Sequence, residues 1–225
     1  MVDRAPVITV DGPSGSGKGT LAQRIAEALG WHFLDSGAIY RVLGLMVERA
    51  GIGGENVDKI ADMAKSMPLS FDQGRVLLDG EDVSRSIRTE TIGNAASKVA
   101  AIPQVREALL AWQRNYARSP GLVADGRDMG TVVFPQAKVK IFLTASAEER
   151  AQRRYKQLNE KGLGVNLARL TEEIRERDER DSKRAVAPLV ASESAYQLDS
   201  TAMTIDEVYG QAMQIVSTAL SDIQS

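Results

Sequence analysis

The sequence predicts an α/β fold, a five-stranded parallel sheet between two layers of helices, on three observations. Short apolar runs rich in β-branched residues alternate along the chain with helical patterns. Helical segments join the five main runs, so each connection is a crossover and the strands lie parallel. Four of those runs end in polar clusters, Asp11-Gly12, Asp35-Ser36-Gly37, Asp125-Gly126-Arg127-Asp128 and Asp199-Ser200. Beyond the carboxyl ends of the strands is where a sheet of this kind binds its ligands.

Taken in order, Val7–Val10 is the first strand, followed by a glycine-rich turn over Gly12–Gly17. A helix over Lys18–Leu29 follows, with Leu21, Ile25 and Leu29 four apart and Gly30 as its stop. Trp31–Leu34 is a second strand, and Ala38–Ala50 a helix with Ile39, Val42, Leu43 and Met46 on one face. The middle of the chain changes character. Arg75–Leu78 and Glu81–Val83 flank Asp79-Gly80, a hairpin signal that marks an inserted subdomain. Helices are expected at about Glu90–Ala100 and Pro103–Ala117, the second opening on a proline suited to a first helical position. Leu122–Ala124, Lys138–Leu143 and Tyr196–Leu198 are the remaining core strands. Two charged helices, Ala147–Asn159 and Asn166–Arg180, precede the last of these. Thr204 with Glu207 forms a capping box that opens a final helix running to about Leu220.

Bulk properties narrow the function. The chain has 225 residues, 28 Lys plus Arg, 30 Asp plus Glu and no cysteine. The balanced charge argues against a nucleic-acid coat or a polybasic membrane anchor. The absence of cysteine excludes thiol catalysis, zinc–cysteine sites and disulfides. The first ten residues are too short and too charged for a secretory signal, and no apolar run approaches membrane-spanning length. The expectation is a cytoplasmic monomer with neither nucleic acid nor membrane as partner. His32, the only histidine, has no nucleophile or ligand cluster near it in sequence and is expected to be structural.

Gly12-Pro13-Ser14-Gly15-Ser16-Gly17-Lys18-Gly19-Thr20 has the spacing of a phosphate-binding P-loop, directly after a strand and before a helix. Glycines there let successive backbone N–H groups turn toward phosphate oxygens, and the helix N-terminus adds its positive end. Lys18 supplies a point charge to the β- and γ-phosphates of ATP. Gly19 stands where Ser or Thr is usual, so Thr20 is a less direct ligand for Mg²⁺. The Asn-Lys-x-Asp and Asp-x-x-Gly strings of a signalling GTPase do not occur.

Several further segments resemble the bacterial cytidylate kinases, of the nucleoside-monophosphate (NMP) kinase family. They are the loop at 12–20, Leu34-Asp35-Ser36-Gly37-Ala38-Ile39-Tyr40-Arg41, Asn94-Ala95-Ala96-Ser97 and Val105-Arg106-Glu107-Ala108-Leu109. Asp125-Gly126-Arg127-Asp128-Met129-Gly130-Thr131 and Arg184-Ala185-Val186-Ala187-Pro188-Leu189 complete the set, which runs in family order over nearly the whole chain. The resemblance implies a single kinase domain over 1–225: a core at about 1–37, 118–150 and 166–225, an NMP-binding insertion at about 38–117, and a short mobile lid at about 151–165. It implies transfer of the γ-phosphoryl group of ATP to CMP and dCMP, with Mg²⁺ accompanying ATP. Arg41, Arg127 and Arg184 would hold the acceptor phosphate, and Ser36 and Tyr40 belong to the same acceptor segment. Asp128 would accept from the cytosine N4 amino group, while Arg106 donates to N3 and O2 and Ser97 adds a hydroxyl. Arg177 and Asp181, four apart on one helix face, would meet the sugar. Lys18, Arg127 and Arg184, with Arg154 from the lid, would stabilise the transferring group. Asp35 and Asp125, at strand ends, are candidates beside Thr20 to hold the metal's waters. A kinase of another small acceptor (UMP, AMP or shikimate) and a non-catalytic nucleotide-binding module are the competing readings.

Overall fold

The computed structural model describes residues 5–72, 74–160 and 165–224. In chain order its elements are β1 (Val7–Asp11), α1 (Lys18–Leu29), β2 (His32–Asp35), α2 (Ser36–Arg49), α3 (Val57–Ser66), β3 (Leu69–Asp72), β4 (Arg75–Leu78) and β5 (Glu81–Asp82). Then come α4 (Glu90–Val99), α5 (Pro103–Arg114), β6 (Leu122–Gly126), β7 (Val139–Thr144), α6 (Ala147–Glu160), α7 (Leu167–Ser182), β8 (Tyr196–Asp199) and α8 (Ile205–Gln224). Two compact units result, Met1–Leu34 with Tyr116–Ser225, and Asp35–Asn115.

The first unit carries the predicted parallel sheet, in the order β2-β6-β1-β7-β8. Val7 to Asp11 pair in register with Leu122 to Gly126 on one side of β1, and Ile8 to Asp11 with Val139 to Phe142 on the other. Every residue of β1 and β6 is buried, which is why both read as continuous apolar runs rather than alternating ones. Ile8 and Val10 point to one face, where they join Val123, Ile141 and Leu143 against Leu21 and Ile25 of α1 and Val208, Ala212 and Val216 of α8. Thr9 and Asp11, one residue out of phase, point to the opposite face. The capping box forms as predicted: Glu207 N–H donates to Thr204 Oγ1 and Thr204 N–H donates to Glu207 Oε2. His32 Nε2 donates to the Ser119 carbonyl at 2.9 Å, tying β2 to the segment that leads into β6.

The second unit contains the Asp79-Gly80 turn, with φ of 50° and 79° at its two central residues. Positive φ at both is what a two-residue hairpin between twisted strands requires. The hairpin is larger than the sequence predicts. Leu69–Asp72 adds a third antiparallel strand, in the order β3-β4-β5. Helix α3 also lies outside the predicted elements, and α5 ends at Arg114, three residues before the expected Ala117. Val76, Leu78, Val83 and Ile87 pack with Ala38, Val42 and Leu45 of α2 to form this unit's core.

Candidate active site

The glycine-rich segment forms the expected turn between β1 and α1. Gly17 caps α1 with φ of 92°, a left-handed conformation that costs glycine little, and no side chain bonds to the first amides of the helix. Those amides therefore face outward as donors for an anion. Lys18 is buried; its Nζ lies 3.4 Å from the Pro13 carbonyl and 3.8 Å from Asp125 Oδ1. The departure at Gly19 now has a steric reason. A Cβ there would sit 3.0 Å from Asp125 Oδ2, so a side chain would crowd the carboxylate that accompanies Lys18.

The outer side of the loop is fastened by α6. Arg150, 4 % exposed, donates through Nη1 to the Ser14 carbonyl at 2.9 Å and through Nε to the Ala145 carbonyl at 2.9 Å. The same guanidinium grips Asp178 of α7 with both Nη atoms. Arg153 reaches the Ser16 carbonyl at 3.5 Å and the Ser200 carbonyl at 2.6 Å, and Ser200 Oγ donates to Ser16 O at 3.3 Å. Sequence reasoning gives Arg150 and Arg153 only as charges on the helix expected over Ala147–Asn159 and assigns neither to the loop. Arg154, the one it selects, has its Nη1 donating to Gln157 Oε1 at 3.4 Å. Of the expected lid at 151–165, residues 161–164, with Lys161, Gly162 and Gly164, lie outside the described residues.

Within the same unit two of the arginines expected at the acceptor phosphate share one carboxylate. Asp181, 1 % exposed, accepts from Arg127 Nε at 3.0 Å and from Arg184 Nη2. Arg127 also donates through Nη1 to its neighbour's carbonyl, Gly126 O, at 3.3 Å. Desolvated guanidinium–carboxylate bonds of this kind fix orientation as well as charge. Asp181 thus orients the arginines, a task the expected sugar contact does not include. Arg177 lies one turn earlier on α7. Asp128, 2 % exposed, follows Arg127 directly and begins the short π-helix Met129–Val133.

In the Asp35–Asn115 unit, Asp35 caps α2 by accepting from Ala38 N–H at 2.9 Å, and its other oxygen lies 3.5 Å from Arg88 Nη2. This local role leaves Asp35 the weakest of the three metal candidates. Ser36, Tyr40 and Ser97 are buried. A Cβ on Gly44 would meet Ala96 N at 2.9 Å, so α2 and α4 cross closely just beside Tyr40 and Ser97. The Arg106 guanidinium stands 5.6 Å from the centre of the Tyr40 ring and donates to the Ala100 carbonyl at 3.2 Å. Arg41 Nη1 donates to the Ile87 and Thr89 carbonyls, tying α2 to the turn before α4.

The cytidylate kinase family model matches residues 8–218. The chain belongs to the cytidylate kinase family. A cytidylate kinase of Aeromonas salmonicida is 59% identical over 226 residues, covering 99% of this chain and 98% of the relative. One from a Marinomonas species is 57% identical over 213 residues, 92% of this chain and 94% of that one. Among solved structures, an uncharacterised protein from Eubacterium ventriosum superposes with a TM-score of 0.52 over 94% of this chain and 98% of its own, at 11% identity, a likeness of fold alone. Among the described residues no helix is long and apolar enough to cross a membrane.

A cytidylate kinase site handles polyanions, so the buried acids around its cradle matter. Asp11 is the clearest case: burial pushes its carboxyl up to about 7, and hydrogen bonds from Gly130 and Met129 N–H oppose that rise. The Asp128 and Asp125 carboxylates add to it, Asp125 with Lys18 beside it. The folded value lies above that of an unfolded aspartate. Between about pH 4 and 7 the folded chain therefore holds a proton that the unfolded chain has released. The stability that Asp11 contributes is full below that window and is lost as pH rises through 7. Thermal melts of the ligand-free protein and of Asp11→Asn at pH 5 and pH 8 check this. The wild type is expected to lose several degrees more than the variant across that interval, on the order of 2–4 °C per kcal/mol.

Proposed function

We propose that this chain transfers the γ-phosphoryl group of ATP to CMP, and to dCMP, giving CDP or dCDP and ADP. The observation that carries this reading is the Asp181 carboxylate, which holds Arg127 and Arg184 in the same compact unit as the Lys18 cradle. Two polyanions must meet end to end for this reaction, and their repulsion requires fixed cations. Gly12 to Thr20 receive the ATP phosphates, with Lys18 at the β- and γ-phosphates. Arg41, Arg127 and Arg184 hold the CMP phosphate, with Ser36 and Tyr40 in the same acceptor segment. Asp128, Arg106 and Ser97 read the cytosine, and Arg177 with Asp181 faces the sugar.

In the transfer, an oxygen of the CMP phosphate forms a bond to the γ-phosphorus while the bond to the β–γ bridging oxygen breaks, and ADP leaves with that electron pair. The attacking oxygen is already anionic, so no general base is required. The protein's work is positioning and charge stabilisation. Arg154, on α6, adds a further cation toward the transferring group. Mg²⁺ arrives with ATP. The hard oxygens of Asp125 and Thr20 would hold it through its waters, and its charge would offset that of the ATP phosphates. The protein acts as a monomer in the cytoplasm on free nucleotides, without nucleic-acid or membrane partners, as its near-neutral charge favours.

A coupled ADP-release assay over CMP, dCMP, UMP, AMP and GMP tests this reading. CMP and dCMP are expected to turn over fastest, and faster release with AMP or GMP would overturn it. In Asp128→Asn the side-chain amide presents a donor to the N4 amino group. Its kcat/KM for CMP is expected to fall about 100-fold while that for UMP, which offers an acceptor at that position, changes less than tenfold. Equal losses for both bases would remove Asp128 from base recognition.

A further inference from the structure

We infer that Asp11 is a positioning residue for acceptor recognition, holding the turn that presents Arg127 and Asp128, an inference that rests on the roles proposed for those two residues. Asp11 is the last residue of β1, and the phosphate cradle begins at its neighbour Gly12. Its side chain takes no part in that cradle. It is 5 % exposed and points to the face opposite Ile8 and Val10, where each of its oxygens accepts a backbone bond. Met129 N–H donates to Oδ1 and Gly130 N–H to Oδ2, both at 2.8 Å.

The backbone of Asp11 is in register with Gly126 across the β1–β6 pair. One residue therefore holds the chain at Gly126 through its main chain and at Met129 and Gly130 through its carboxylate. The two residues between those holds are Arg127 and Asp128. Further packing leaves the turn little room to shift. A Cβ on Gly130 would stand 2.8 Å from Thr9 Oγ1, and Met129 is fully buried. Beyond the turn, Val132 and Val133 N–H both donate to Asp128 O, and Phe134 N–H donates to Met129 O. The amides of Met129 and Gly130 open this π-helix and have no earlier turn to bond to. The carboxylate supplies the acceptors they lack.

Neutral replacements separate positioning from mere support. Asparagine keeps one carbonyl acceptor but turns an N–H₂ group toward the second amide, donor facing donor; alanine removes both acceptors. Steady-state assays at pH 8, where the Asp11 carboxylate is charged, compare wild type, Asp11→Asn, Asp11→Ala and Asp128→Asn with CMP, UMP and ATP. Asp11→Asn is expected to raise KM for CMP about tenfold and lower the CMP-to-UMP ratio of kcat/KM by a similar factor, with KM for ATP within about twofold of wild type. Asp11→Ala is expected to go further in the same direction. A fall in kcat and melting temperature with both KM values and the base preference unchanged would mean structural support alone, and the inference fails. If Asp128→Asn alters base preference and Asp11→Asn does not, the inference fails while the base reading stands. If neither alters it, the base reading fails and takes the inference with it.

Should neither Asp11 variant fold, hydrogen exchange on the wild-type protein decides. Slow exchange at Met129 and Gly130 without CMP, unchanged on adding CMP, supports a turn held in advance by Asp11. Fast exchange that slows only with CMP overturns it.

Discussion

Replacing Lys18 by alanine is expected to lower kcat about 1,000-fold while the chain remains folded. The ammonium is the one side-chain charge that the cradle itself presents, and a preorganised charge in a dry site contributes on the order of 100- to 1,000-fold to a transfer of this type. The substitution has a second consequence. Lys18 Nζ lies 3.8 Å from the Oδ1 of buried Asp125, so its removal takes a cation away from that carboxylate and lowers the melting temperature. The double variant Lys18→Ala with Asp125→Asn separates the two effects. It is expected to recover much of the lost melting temperature and none of the lost turnover. Recovery of turnover in the double variant would show that Lys18 serves to neutralise Asp125 rather than to stabilise the transferring phosphoryl group.

The second large effect is expected at Arg127. Arg127→Met should reduce kcat/KM for CMP by roughly 100- to 1,000-fold, with KM for ATP changed by less than about threefold. Asp181 takes the Nε–H and the Gly126 carbonyl one N–H of Nη1, and the remaining N–H groups are the ones available to the CMP phosphate. Arg127→Lys should not rescue activity. A single ammonium cannot hold Asp181 and chelate a phosphate in the same plane. Asp181→Asn provides the complementary test. The side-chain amide binds two guanidiniums less well, so Arg127 and Arg184 both lose their fixed orientation, and the loss with CMP should approach that of Arg127→Met. Steady-state kinetics with CMP and ATP varied separately measures all three. A wild-type KM for CMP in Arg127→Met would remove that arginine from the acceptor site.

Where chemistry depends on neighbours in sequence, the chain could be read directly. The cradle at 12–20 is contiguous, and its strand and helix flank it. Asp79-Gly80 declared its turn because the positive φ it needs is written in the residue types. Thr204 and Glu207 declared a helix start in the same local way. What stayed hidden was set by distant partners. Leu69–Asp72 carries only four residues of pattern and becomes a strand by pairing with Arg75–Leu78. Helix α3 buries only Ile60, Ala61 and Ala64, a stripe too narrow and too small to stand out from its charged surroundings.

The candidate site divides the same way. Arg127 and Asp128 stood out at a strand end, but the acceptor for Met129 and Gly130 sits at Asp11, more than 100 residues earlier. Arg150 reads as one more charge on a solvated helix until Ser14 O and Asp178 are seen against it. The signal for such residues is a cation on the buried stripe of a helix. Arg150 lies next to Ala151, which is fully buried, and that register was present in the sequence.

The most direct test of phosphoryl transfer to CMP follows the phosphorus itself. ATP labelled in its γ-phosphate is incubated with CMP and the protein, and the products are separated. The label is expected in the β-phosphate of CDP, in equal amount to the ADP formed. Label released only as inorganic phosphate, or carried preferentially by another nucleotide when CMP is present in equal concentration, would contradict the account.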